Sequence, residues 1–114
     1  MIIGGKAVQA LSGKTLEVRS PVDGSVFETI PRGEAADIDA AVQAARKALD
    51  GAWGQLSALE RGRLMLKMAQ KVLDNAEELA LLEARDTGKP MTTARNDMIV
   101  LARYFEFYGS AADK

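Results

Sequence analysis

The run Leu82-Glu83-Ala84-Arg85-Asp86-Thr87-Gly88-Lys89-Pro90 holds the most chemical potential in this chain. In it a carboxylate, Asp86, closes a helical stretch just before a Gly-Lys-Pro breaker. A negative charge at the C-terminal end of a helix opposes the local dipole. Asp86 therefore calls for a compensating partner: a cation, an arginine, or backbone N–H groups. Capping of the next turn is the plainest of these. Arg61-Gly62-Arg63 offers two guanidinium groups that can hold phosphate, although a solvated face or an ion pair explains them better. The glycine between them costs up to about 1 kcal/mol relative to alanine inside a helix, which implies close backbone packing. Tyr104, Phe105, Phe107 and Tyr108 could line a ligand tunnel. An aromatic stripe is more often core, and no basic surface surrounds this one for base stacking. Asp37/Asp39 and Glu77/Glu78 sit at helix starts, where they complement the macrodipole.

The chain has no cysteine and no histidine among its 114 residues. The usual strong nucleophile and the usual neutral-pH proton shuttle are thus both missing, as are disulfides and thiolate metal sites. Gly4-Gly5 and Gly51-x-x-Gly54 lack the strand-to-helix context of a phosphate-binding glycine loop. No catalytic and no nucleotide-binding residue is expected here. The segment reads as architecture for chemistry located elsewhere. A net charge of -1 gives no electrostatic reason to expect nucleic acid or an anionic membrane as partner. No apolar run approaches the roughly 20 residues needed to span a bilayer. The start does not read as a signal peptide. The cytoplasm is the expected compartment.

The elements that position these residues follow from periodicity. Thr15-Leu16-Glu17-Val18-Arg19 alternates with period two, and Pro21-Val22-Asp23-Gly24 is a turn leading into the strand Ser25–Ile30. Pro31-Arg32-Gly33 closes the β region. From Glu34 the period becomes 3.6. Ile38, Val42, Ala45 and Leu49 share one helix face, Gly51 stops the helix, and a loop over residues 51–54 is expected to bury Trp53. Ser57 and Glu60 form a capping box for the next helix, and Asn75 reads as the cap of another. A last helix runs from about Thr92 to Ala112. Met98, Ile99, Val100 and Leu101 join the aromatic cluster to make it apolar on most of its circumference, so it needs cover on several sides. The expected fold is α+β, with N-terminal β-hairpins over residues 1–33 followed by about four helices over residues 34–114. A chain that stops just after such a helix reads as the front part of something larger.

In order along the chain, these residues resemble the N-terminal portion of the aldehyde dehydrogenase superfamily. The resemblance rests on Ser20-Pro21-Val22-Asp23-Gly24, where Ser20 replaces the usual asparagine. It continues through Ile38–Arg46, Trp53, Glu60–Leu64, Leu82–Pro90 and Tyr104–Lys114. It implies an NAD- or NADP-dependent oxidation of an aldehyde to a carboxylic acid through a cysteine thioester. The cysteine, the water-activating glutamate, the oxyanion donors and the nucleotide loop all lie downstream of the matched stretch. The segment would then be an incomplete part of the α/β nucleotide-binding domain. Its partners would be the remainder of the chain, a small aldehyde and further copies in a homo-oligomer. The resemblance also implies a structural Na+ or K+ held by backbone carbonyls at Val18 and Arg19 and by Asp86. Val100 and Tyr104 would lie near the substrate entrance. The competing reading is a stand-alone, non-enzymatic helical interaction module, or a truncated remnant.

Overall fold

A computed structural model describes residues 1–114. They group into two compact units. The first comprises residues 1–19 and 24–55. It contains β1 (Ile2–Ile3), β2 (Lys6–Ala7), β3 (Thr15–Arg19), β4 (Val26–Pro31), α1 (Ala35–Asp50) and the short α2 (Ala52–Gln55). β1 and β2 pair antiparallel, as do β3 and β4, and the two hairpins form separate two-stranded sheets. Leu16 faces Ile30 and Val18 faces Glu28 across the second hairpin, and a bulge after Val18 brings Arg19 opposite Val26. The connecting turn needs Gly24, whose φ of +73° lies in the left-handed region.

α1 begins after Glu34 and ends at Gly51. Its expected apolar face is not its covered one: Ile38, Val42, Ala45 and Leu49 are exposed, whereas Ala41 and Ala44 are half-buried. The small residues let the backbone of the first hairpin come close, and a Cβ on Gly4 would lie 3.9 Å from the Ala44 Cβ. The expected loop over residues 51–54 is instead the single helical turn of α2. A Cβ on Gly54 would stand 1.7 Å from the Leu49 carbonyl oxygen, so only glycine lets this turn fold back against the end of α1. One turn offers no second face to pack under, and Trp53 stays 45% exposed rather than buried.

The second unit comprises residues 20–23 and 56–114. It contains α3 (Ala58–Asp74), α4 (Ala76–Thr87) and α5 (Met91–Ala111). The capping box at α3 forms as its sequence requires. The Glu60 N–H donates to Ser57 Oγ at 3.2 Å, and the Ser57 N–H donates to Glu60 Oε2 at 2.7 Å. Asn75 stands at the N-cap of α4 as expected, its carbonyl accepting the Leu79 N–H at 3.0 Å, but its side chain works elsewhere. Its Nδ2 donates to the Lys71 carbonyl at 2.8 Å, closing α3, and its side chain does not cap α4.

α5 packs against both other helices through a narrow stripe of Ala94, Met98, Ala102 and Gly109. Gly62 of α3 and Gly109 of α5 meet backbone to backbone. A Cβ on Gly62 would lie 2.3 Å from the Gly109 carbonyl oxygen, and one on Gly109 would lie 2.9 Å from the Gly62 carbonyl oxygen. The core beside this contact is small: Ala80, Ala94 and Met98, flanked by Val72, Ala76, Leu79, Ala84 and Met91. No helix is long and apolar enough to cross a membrane.

Gly62→Ala must push α3 away from α5. We expect a lower urea midpoint, a loss of about 1–3 kcal/mol typical of overpacking. An unchanged midpoint would show that the two backbones do not meet at this point.

Candidate functional site

The chemistry-bearing run folds as the corner between α4 and α5. Thr87 closes α4 by donating its hydroxyl to the Glu83 carbonyl at 2.7 Å. Gly88 then takes φ +73°, a left-handed C-cap, and its N–H donates to the Ala84 carbonyl at 2.9 Å. The Lys89 N–H reaches Thr87 Oγ1 at 3.4 Å. Pro90, with φ -59°, leads into α5, and its carbonyl accepts the Ala94 N–H at 3.0 Å. A helix cannot run into proline without losing an N–H donor and clashing with the preceding turn, so the break falls here.

Lys89 fastens the corner. Its Nζ donates to Glu83 Oε1 at 2.6 Å and to Asp97 Oδ2 at 2.8 Å, joining the last turn of α4 to the second turn of α5. The hydrogen bond to Asp97 first, and the one to Glu83 next, raise the Lys89 pKa above the ordinary lysine value. A second clamp joins the same two helices. The Arg95 guanidinium grips the Glu77 carboxylate through Nε and Nη2, at 2.6 to 3.2 Å. That pairing holds the Glu77 pKa below the usual carboxylate range. Bidentate geometry makes this more than an average surface ion pair.

Asp86 lies in the last turn of α4 and is exposed. Its carboxylate caps neither Gly88 nor Lys89, because Ala84 and Thr87 accept those N–H groups. Of the compensating partners open to it, capping of the following turn is thus not used. Against the same corner lies the Ser20–Asp23 turn: a Cβ on Gly88 would come 2.9 Å from Pro21 Cγ. This turn is shaped by the Val22 N–H donating to Ser20 Oγ at 3.2 Å. Val18 and Arg19 end β3 in the first unit. Val18 is half-buried there, and the Arg19 guanidinium is occupied by the Gly24 carbonyl at 3.0 Å and by the Glu17 carboxylate. No three His, Cys, Asp or Glu side chains gather in a way that could hold a metal ion.

Val100 and Tyr104 are brought together, one helical turn apart on α5. With Arg103, Phe107 and Tyr108 they line an open, mostly apolar groove of about 410 Å³. Phe107 and Tyr108 meet edge to face, with ring centroids 5.3 Å apart. These aromatics are not core residues: Tyr104 is 59% and Phe107 65% exposed. Sequence reasoning did not single out Arg103 at the groove or Lys89 as a fastener. The signal for Lys89 was present, since Glu83 and Asp97 stand six residues before it and eight after it, within reach once the corner is bent.

The profile of the aldehyde dehydrogenase family matches residues 8–114. Aldehyde dehydrogenase family 2 member B4, mitochondrial, of Arabidopsis thaliana is 42% identical over 116 aligned positions, which cover all of this chain and 22% of that protein. A solved protein of Burkholderia cenocepacia, assigned to the aldehyde dehydrogenases, superposes with a TM-score of 0.96 at 52% identity, covering 98% of this chain and 24% of its own. PnpE, solved in complex with nicotinamide adenine dinucleotide, superposes with a TM-score of 0.94 at 45% identity, covering 98% of this chain and 23% of its own. The chain thus spans about a quarter of the length of the relatives it matches.

The raised pKa of Lys89 gives the corner a pH signature. Its contribution to stability is complete below the ordinary lysine value of 10.5 and is lost as pH rises through the higher folded-state value. Lys89→Met should therefore lower the denaturation midpoint near neutrality. The gap to the parent chain should shrink above about pH 10.5. A gap that stays constant through the alkaline range would mean that the lysine stem, not its charge, holds the corner.

Proposed function

We infer the function from one premise: this chain belongs to the aldehyde dehydrogenase family. We propose that it is the N-terminal part of an NAD(P)-dependent enzyme that oxidises an aldehyde to a carboxylic acid through a cysteine thioester. Residues 1–33 serve as its peripheral β-hairpin region, and residues 34–114 as the helical part of its nucleotide-binding domain. The segment supplies structure, and the catalytic cysteine and the nucleotide loop belong to the rest of the enzyme. The carrying observation is the uncovered apolar surface of α5. Ile99, Val100, Tyr104, Phe107 and Tyr108 are all exposed. Soluble monomers rarely leave so much contiguous apolar surface wet. A stand-alone helical module needs a closed core, and a core of Ala80, Ala94 and Met98 favours the enzyme reading instead.

In this reading the Val100–Tyr104 groove faces the route by which aldehyde enters, and its apolar walls suit an uncharged substrate. A bound nicotinamide cofactor would accept hydride, and this segment supports the domain that holds it. The 114-residue chain, mixed with a panel of aldehydes and NAD+ or NADP+, should give no nicotinamide reduction. Turnover above buffer background would overturn the structural role. The reading frame past Lys114 should encode a glycine-rich nucleotide loop and a cysteine. A stop codon there would favour the remnant.

The monovalent-cation site belongs to the same proposal. Carbonyl oxygens at Val18 and Arg19 and the Asp86 carboxylate are hard donors, suited to Na+ or K+. The family resemblance supports it, as does a helix-end carboxylate that caps neither Gly88 nor Lys89. Asp86→Ala in the full-length enzyme should cost more stability in K+ or Na+ buffer than in a bulky organic-cation buffer. Equal loss in both would remove the cation from the reading.

A further inference from the structure

The first thirteen residues form an arm with little hydrophobic hold of its own. Its hairpin closes on itself: the Met1 ammonium donates to the Val8 carbonyl at 3.0 Å, and the Val8 N–H donates to the Met1 carbonyl at 2.9 Å. A tight turn follows, in which the Gly13 N–H donates to the Ala10 carbonyl at 2.9 Å. Ala10 is the arm's one buried residue, and Ile2 and Leu11 are largely exposed. An alanine methyl and a few half-covered side chains anchor a segment weakly.

Asp37 answers this weakness. It is the one charged residue that is buried, at 3% exposure, and it stands in the first turn of α1. Its two carboxylate oxygens divide their work. Oδ2 accepts the Glu34 N–H at 2.9 Å, which is the reciprocal half of the helix cap. Oδ1 reaches 26 residues back and accepts the Leu11 N–H at 2.9 Å. One side chain therefore caps the helix start and ties the arm to it. A buried acceptor that loses its charge gives up the stronger, charge-assisted form of both bonds.

We propose that Asp37 is an acid-releasable latch that holds the N-terminal arm, residues 1–13, on α1. The surrounding charges leave this role to Asp37 alone. Lys14 Nζ is taken by Glu34 Oε1 at 2.7 Å on the surface, the Met1 ammonium is used within the hairpin, and Lys6, Arg32 and Asp39 are exposed. The N–H donors of Glu34 and then Leu11 hold the Asp37 pKa below the ordinary aspartate value of 3.8. The latch is thus closed above that value and opens as pH falls through the lower folded-state value. Protonation would free the arm while α3, α4 and α5, which do not share the latch, stay folded.

Amide hydrogen exchange on the 114-residue chain at constant neutral pH tests this. Asp37→Asn should speed exchange across residues 2–13 about tenfold or more, the scale set by hydrogen bonds to a charged group. Exchange across α3 to α5 should match the parent chain. Lys14→Ala, which removes the nearby ion pair and leaves the latch, should keep the arm protected. In the parent chain the Leu11 and Glu34 amide resonances should titrate together at a midpoint below 3.8, and that titration should vanish in Asp37→Asn. If Asp37→Asn unfolds throughout, Leu11→Pro removes the arm's donor to Asp37 from the other side of the same bond, at a turn position that accepts proline, and should release the arm selectively. An arm as protected as in the parent chain, or one that opens only together with α3 to α5, would overturn the proposal. So would a Lys14→Ala effect equal to that of Asp37→Asn.

Discussion

Helices α3 and α5 approach until the Gly62 and Gly109 backbones touch, and their unit is built around that distance. Glycine is needed on both sides, because a side chain on either would strike the opposite carbonyl. Alanines carry the approach along the helices, with Ala69 and Ala102 both buried. Close contact maximises dispersion between backbones but encloses little volume. The large apolar residues of these helices are therefore displaced to the outside, where Leu66, Ile99, Tyr104 and Phe107 stand. Exposure of those residues follows from the helix spacing and does not signal poor packing.

The corner between α4 and α5 must hold its angle without a thick core behind it. Polar fasteners supply what volume does not. Lys89 spans two carboxylates, Arg95 grips a third, and Thr87 and Gly88 satisfy carbonyls at the end of α4. Single exposed ion pairs are worth little, but two clamps on the same pair of helices restrict both the angle and the register. In the proposed enzyme, such a corner would keep the outer face of α5 at a fixed orientation for the surface that covers it.

Much of this was legible in the residues. The change from period two to period 3.6 at Pro31-Arg32-Gly33 located the end of the strands, and no strand follows it. The Ser57–Glu60 box and the Gly62 contact followed from local rules, because capping and steric access depend on few neighbours. The readings that failed needed knowledge of what lies opposite. Ile38, Val42 and Leu49 form a regular stripe, yet the covered face of α1 is the alanine one, because the small residues admit the hairpin. Trp53 looked like a core residue by type, and a single helical turn gave it nowhere to go. Asn75 does take the N-cap position of α4, but its side chain serves the helix before it. Lys89 stayed unassigned because its two partners become neighbours only after the chain bends.

The Gly62–Gly109 contact also bears on how this sequence can vary. Its residues are already at the small end of the side-chain scale, so nearly every replacement at Gly62, Ala69, Ala102 or Gly109 adds volume where none is free. Change there is one-directional. Two helices cannot drift apart by small, individually tolerable steps when the first step already collides with a carbonyl. Divergence between members of a lineage would then be channelled to the outward residues of α3 and α5, whose side chains can be exchanged without moving an axis. A surface free to change on a frame that is not is a fitting arrangement for matching different neighbours while presenting them at one fixed geometry.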